Sequence, residues 1–227
     1  MKAPTWLVTV LQLFLSLSIP IILIISPLYL FFTPAMVRYE YSRAGFPPAT
    51  RFDRQERLRL SDTIVRYVRG RESVESLRRM RTDEGGKALR ESEIQHLVDV
   101  KKVLDGLFMA YRVALIVGLV AGVALLWLVG SAYLIKGIQN GVWITAGCMA
   151  LVLVSAFVDF GTFFTRFHQM FFESGTWVFD AQDTLIQLYP LTFWVDVVWK
   201  LGAFIVAEVG LLYTFVMFAR YVIGENG

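Results

Sequence analysis

The sequence predicts an all-α polytopic membrane protein: four transmembrane helices carrying a small mixed α/β cap outside the cytoplasm. Three observations predict it. Hydrophobic residues make up 56% of the 227 positions and mean hydropathy is +0.56, above the roughly half-apolar make-up of soluble domains. Four apolar runs are each long enough to cross a hydrocarbon core of about 30 Å. Charge, by contrast, gathers in one stretch, Val37 to Gly106, which holds sixteen Lys/Arg and twelve Asp/Glu.

The first run, Trp6 to Phe32, is far longer than the roughly 7–15 apolar residues of a signal-peptide core, and so reads as a retained span within residues 1–36. Pro20 and Pro27 are expected to kink it, which membrane helices tolerate. Residues 37–106 form the cap. Within it, a helix is expected from Ser61 to a stop at Gly70. Val74–Arg81 and Lys87–Arg90 flank Asp83-Glu84-Gly85-Gly86 as a hairpin. Ser92-Glu93-Ile94-Gln95 reads as a capping box opening a helix that runs on into the second span.

Residues 107–227 hold the other spans: Leu107–Ile135, Val142–Phe164 and Phe193–Tyr221, with an extracytoplasmic loop at 165–192. Gly118-x-x-x-Gly122 is a spacing that lets helices approach closely. Cys148 is the only cysteine and lies in an apolar run, so neither an intramolecular disulfide nor a cysteine metal site is expected. The charged cap is too long for positive-inside counting. Lys2, Lys136 and Arg220 fall on one side of a four-span bundle, which places both termini in the cytoplasm and the cap outside.

The chain has two histidines, His96 and His168. Two crossings separate them, so both return to the same face whatever the orientation. Imidazole is the side chain whose unperturbed pKa lies near neutrality, which suits acid–base work. His96 and Asp99 are neighbours on one helix face, so Asp99 is a candidate to orient the ring, against the plainer reading of a surface histidine on a polar helix. His168 sits among Phe163, Phe164, Arg166, Phe167, Phe171, Phe172 and Trp177, followed by Asp180, Asp183 and Tyr189. An interfacial aromatic belt explains the rings but not the charged residues among them. Asp159, Asp196, Lys200 and Glu208 lie in or near spans, where ionisable residues are functional suspects. Asp196 and Lys200, four apart, are expected to pair. There is no H-E-x-x-H, Walker loop, G-x-S-x-G or cysteine cluster, and no metal, cofactor or nucleic-acid role is indicated. The basic cap suits anionic lipid heads.

At the two histidine segments the chain resembles a known family. Leu89-Arg-Glu-Ser-Glu93-Ile-Gln-His96-Leu-Val-Asp99-Val-Lys101 is similar to the E-x-x-H-M-x-D-V-K element of the bacterial lipoprotein intramolecular transacylases, with Leu97 in place of methionine. Phe167-His168-Gln-Met-Phe171-Phe172, Trp177 and Asp183-Thr-Leu-Ile-Gln-Leu-Tyr189-Pro-Leu-Thr-Phe193 resemble its second element. The resemblance implies an enzyme of the cell membrane whose site faces outward. It implies a diacylglyceryl-modified lipoprotein as substrate, with the sn-2 acyl chain moving to the amine of the lipoprotein's own N-terminal cysteine. His96 and His168 are then the catalytic pair, sharing base and acid roles. Asp99, Lys101, Arg166 and Asp183 support them, Lys101 or Arg166 as oxyanion donors. Phe164, Phe167, Phe171, Phe172, Trp177, Tyr189 and Phe193 wall the acyl pocket. Three readings compete: a non-catalytic subunit that binds lipoprotein or lipid, a small transporter using Asp159, Lys200 or Glu208, and a lipid hydrolase using the same histidines on water.

Overall fold

A computed structural model describes residues 3–225, with side chains through Val222. Lys2, used above for orientation, lies outside the described residues. In chain order the helices are α1 Thr5–Ile25, α2 Leu28–Phe31, α3 Pro34–Ser42, α4 Arg54–Val68, α5 Val74–Arg79, α6 Glu91–Val129, α7 Ser131–Val158, α8 Phe160–Phe171, α9 Thr184–Leu188 and α10 Leu191–Glu225. Four stretches are long and apolar enough to cross a membrane: Thr5–Phe31, Glu91–Val129, Ser131–Val158 and Leu191–Val222. The chain is a multi-pass membrane protein.

Among the described residues, one compact unit comprises 3–27, 107–155 and 201–225. Its helices meet over small residues. A Cβ on Gly141 would stand 2.5 Å from the Ile19 Cβ, and one on Gly137 would stand 2.8 Å from Leu15. Ser16 donates to the Gly137 carbonyl at 3.0 Å, a hydrogen bond that such close approach permits. Gly118 faces Ser18, and Gly202 faces Leu153, where a Cβ would lie 2.5 Å from a methyl. Pro20 is accommodated inside α1, whereas the break before α2 falls at Ser26–Pro27. Ser26 donates from its hydroxyl to the Glu208 carboxyl, with oxygens at 3.1 and 3.2 Å, which gives that intramembrane acid a partner.

The other unit comprises residues 28–106 and 156–200. Its core is Leu60, Ile64, Leu77, Ile94, Leu97, Leu185 and Leu188, all buried. The cap is helical, which corrects the expected mixed α/β cap: no strand occurs among the described residues. Val74–Arg79, expected as a strand, is α5, and a single bridge joins Arg81 to Lys87 around a turn at Gly85, φ +87°. That turn is held by the Glu56 carboxylate accepting the Asp83 amide at 2.7 Å, and by Arg59 on Asp83. The helix expected from Ser61 starts earlier, because Asp53 caps it by accepting the Glu56 amide at 2.8 Å. Ser61 is instead buried in mid-helix and bonds to the Tyr41 hydroxyl at 2.8 Å. Gly70, φ +71°, ends the segment as expected.

Ion pairs also differ from expectation. Asp196 takes Arg43, and Lys200 takes the buried Glu40, which Arg43 also reaches at 3.1 Å. The four-residue spacing of Asp196 and Lys200 lost to partners from α3, because the fully buried Glu40 carboxylate needs the cations more. Asp159 is not a span charge. It caps α8, accepting the Thr162 amide at 3.1 Å and its hydroxyl at 2.6 Å. Part of the segment expected as the 165–192 loop is therefore helix α8, and α9 occupies another part.

Candidate active site

The histidines and most of the cavity wall come from the start of α6 and the segment from α8 through the start of α10. The stretch from α2 to α4 completes the wall with Phe31, Phe32, Val37, Ile64, Val65 and Val68. A helix of 39 residues is roughly 58 Å long at 1.5 Å per residue, about twice a hydrocarbon core. Its charged first part, up to Asp105, therefore stands outside the bilayer, with His96 on it. The cap that starts α6 is displaced from the expected box at Ser92 and Gln95. Glu93 reaches back to the Arg90 amide at 2.9 Å, and its other oxygen accepts the Leu185 amide at 2.8 Å. Thr184 donates to the Ala88 carbonyl. Arg90 pairs with Asp183 at 2.8 Å, and Asp183 accepts the Asp180 amide at 2.9 Å. The buried side chains of Glu93, Asp183 and Thr184 thus fasten the start of α9 to the root of α6.

These bonds bring the two histidines together. Their ring centroids are 6.3 Å apart with planes 22° off parallel. Phe172 meets both rings, at 5.0 Å from His96 and 5.5 Å from His168. Phe179 meets His96 edge-on at 5.4 Å. Trp177 lies 4.8 Å from His168, and Phe164 lies 4.1 Å from it. Both rings line a cavity of about 260 Å³. Of the expected wall residues, Phe164, Trp177, Tyr189 and Phe193 line it. Phe172 packs on the histidines from beside it. Phe167 and Phe171 point outward, 45% and 39% exposed.

No lysine, arginine, aspartate or glutamate lines this cavity. Lys101 pairs with Asp105 at 2.7 Å, and Arg166 lies exposed on α8. The expected Asp99–His96 hydrogen bond is not formed. Asp99 takes Lys102 at 3.0 Å and Gln95 at 3.4 Å, and the buried His96 Nδ1 has no partner. Asp183 works through Arg90 and its own turn rather than through a histidine. Among the residues to which the sequence assigns no site role are Glu93 and Phe179, both within the stretches of the two elements, Trp194, and the apolar wall from α2 to α4. Glu93 lay inside the first element, three positions before His96, and that i, i+3 relation was its available signal.

The electrostatics follow from burial. His96 is pushed down to about 4, chiefly because its apolar surroundings penalise imidazolium, with His168 adding to the fall. His168 is also lowered by burial, offset in part by the Phe164 carbonyl. That carbonyl lies 2.8 Å from His168 Nδ1. A carbonyl can only accept, so Nδ1 carries the proton, and neutral His168 presents Nε2 as a lone pair. The neutral His96 ring carries one N–H and one lone pair. The site therefore pairs a His168 lone pair fixed at Nε2 with a second neutral imidazole. The indole nitrogen of Trp177 is likewise buried without a partner. No cluster of metal-ligating side chains occurs among the described residues.

Known proteins resemble this chain over most of its length. A family model described as lipoprotein intramolecular transacylase Lit matches residues 10–194. An uncharacterised protein of Aquifex aeolicus is 26% identical over 199 residues, covering 86% of this chain and 85% of that one. The fold is similar to that of the in meso structure of the membrane-integral Lit from Bacillus cereus, with a TM-score of 0.81 at 18% identity, covering 98% of this chain and 99% of that one. A histidine-substituted variant of the Bacillus cereus protein aligns with a TM-score of 0.66 over 96% of this chain and 93% of its own.

Proposed function

The chain belongs to the lipoprotein intramolecular transacylase (Lit) family, and from that premise we propose that it moves the sn-2 acyl chain of a diacylglyceryl lipoprotein to the amine of that lipoprotein's N-terminal cysteine. The product is a lyso-form lipoprotein. The observation that carries the reading is the cavity: two histidines in an otherwise apolar, aromatic-walled space with no charged side chain.

The chemistry uses what the site holds. The α-amine has a pKa of roughly 7.7–8.0, so part of it is already a nucleophile near neutrality, and no enzyme serine or cysteine is needed. The amine attacks the ester carbonyl. The C–N bond forms and the carbonyl electron pair moves to oxygen. His168 Nε2 takes the proton from the attacking nitrogen and returns it to the glyceryl oxygen as the C–O bond breaks. His96, its pKa pushed down to about 4, is neutral at pH 7 and has no imidazolium proton to release. It serves by its N–H, holding the oxygen that gains charge. The Trp177 N–H is a second donor for the same oxygen. In a dry cavity such neutral donors are worth far more than in water. Holding amine and ester in reach contributes further, since well-oriented groups gain up to about 7–11 kcal/mol in the best cases. Excluding water favours aminolysis over hydrolysis.

The order of the four spans in the sequence, which returns His96 and His168 to one face, supports an outward-facing site and cytoplasmic termini. Purified protein in a bilayer, given a synthetic diacylglyceryl lipopeptide, tests the reading. Transfer leaves the mass unchanged, so fragmentation must locate one acyl chain on the cysteine nitrogen. Release of a free fatty acid instead would identify a hydrolase, and an unaltered substrate would favour a binding subunit.

A further inference from the structure

The exposed surface of α8 divides along its length. Thr162, Arg166 and Gln169 form a polar strip at i, i+4, i+7. Phe163, Phe167, Met170 and Phe171 form an apolar strip beside it. Met170 is 76% exposed. His168 and Phe164 occupy the inward side, against the cavity. The surfaces flanking α8 in the chain are similar: Phe157, Val158, Val178 and Leu191 are all exposed large apolar residues. The cap behaves oppositely. Among the described residues, no large hydrophobic side chain is exposed between Tyr39 and Met109. Beyond Tyr39 the charged cap surface is thus free of such groups, and α8 carries the surface character of the spans.

We propose that α8 is an interfacial helix whose apolar strip lies in the acyl layer of the bilayer, with its polar strip at the lipid heads. The occupant is lipid because the strip follows closely on the third span, which ends in the exposed Phe157 and Val158 with only the Asp159 cap between it and α8. A helix lying in this plane buries its apolar side about 5–10 Å into the headgroup–acyl boundary. His168 then stands within one helix width of the acyl chains, at the depth where glycerol esters lie. A diacylglyceryl group reaches the cavity sideways, with its chains still in lipid. This placement does not depend on which reaction the histidines perform.

The single cysteine makes the test simple. In a Cys148→Ser background, nitroxide labels are placed one at a time at positions 166, 167, 169 and 170, in nanodiscs of phosphatidylcholine and phosphatidylglycerol. Power-saturation EPR then compares collisions with oxygen, which enriches in lipid, and with a water-soluble nickel chelate. Labels at 167 and 170 are expected to favour oxygen, and those at 166 and 169 the chelate, alternating with the helical period. Chelate-favouring labels at 167 and 170 would overturn the proposal, as water covers the strip. Labels there that are immobile and closed to both agents would also overturn it, as a second protein chain covers the strip. Should the label at 167 disturb folding, Met170 carries the same prediction from a more exposed site.

Discussion

Glu93 Oε1 accepts the backbone amide of Leu185 at 2.8 Å across 92 residues of sequence. One turn of helix separates Glu93 from His96, and Leu185 is a wall of the histidine cavity. This bond joins the segment that holds one histidine to the segment that shapes the space around the other. Burial raises the Glu93 carboxyl above its ordinary value, so the bond is made at an electrostatic cost that the two amide donors and the Arg90 charge offset in part.

Replacing Glu93 by alanine should therefore act through geometry. The buried Leu185 and Arg90 amides lose their acceptor, at a cost of about 1–3 kcal/mol each. Hydrogen exchange at the Leu185 amide should quicken markedly, and kcat should fall with little change in KM. Exchange unchanged at Leu185 would show that the bond does not hold the segment.

The Trp177→Phe variant keeps an aromatic wall and removes the N–H. If that group meets the oxyanion, kcat should fall about 10²-fold, the scale for losing one such donor. The midpoint of thermal unfolding should stay near wild type. A kcat within a few-fold of wild type would exclude the donor role.

The depressed histidines fix the pH response. Attack needs a free amine and a neutral His168, and each requirement alone gives log(kcat/KM) a slope of one against pH. An ordinary imidazole would add the second slope below about 6.5. Because burial lowers His168, the slope should remain one as pH falls past 6.5. Stability follows the same sign. A folded-state value of about 4 for His96 means its neutral form supports the fold fully above 6.5. That support is lost as pH falls from about 6.5 toward 4.

Gly141→Val should separate fold from chemistry. Its side chain would meet Ile19 at distances no packed carbon tolerates. Overpacking of this kind costs about 1–3 kcal/mol. Thermal unfolding of the variant in detergent should begin at lower temperature, while the kcat of the folded fraction stays unchanged.

The spans and the two histidine elements were legible because both are written in local pattern. A hydrophobic run needs no partner to be recognised, and two crossings between His96 and His168 put them on one face by counting alone. The cap's secondary structure was less so. Val74–Arg79 reads as well for a strand as for a helix, and its packing beside α4 decides the matter. Asp53 starts α4 eight residues before Ser61, yet both are good capping residues by type. The ion pairs were not legible. Asp196 and Lys200 have the right spacing, but Glu40 and Arg43, distant in sequence, win them. The Phe164 carbonyl that sets the His168 tautomer has no side-chain signature at all. Tertiary contact, not local sequence, made each of these choices.

The most direct measurement uses a lipopeptide carrying ¹³C only in its sn-2 acyl chain, incubated in bilayers with wild type, His96→Ala and His168→Ala. Fragmentation should find the label on the cysteine nitrogen with wild type. Transfer should fall by about 10²–10⁴-fold with His168→Ala, as for loss of a general base. Near-wild-type transfer by a folded His168→Ala protein, or label appearing as free fatty acid, would contradict the account.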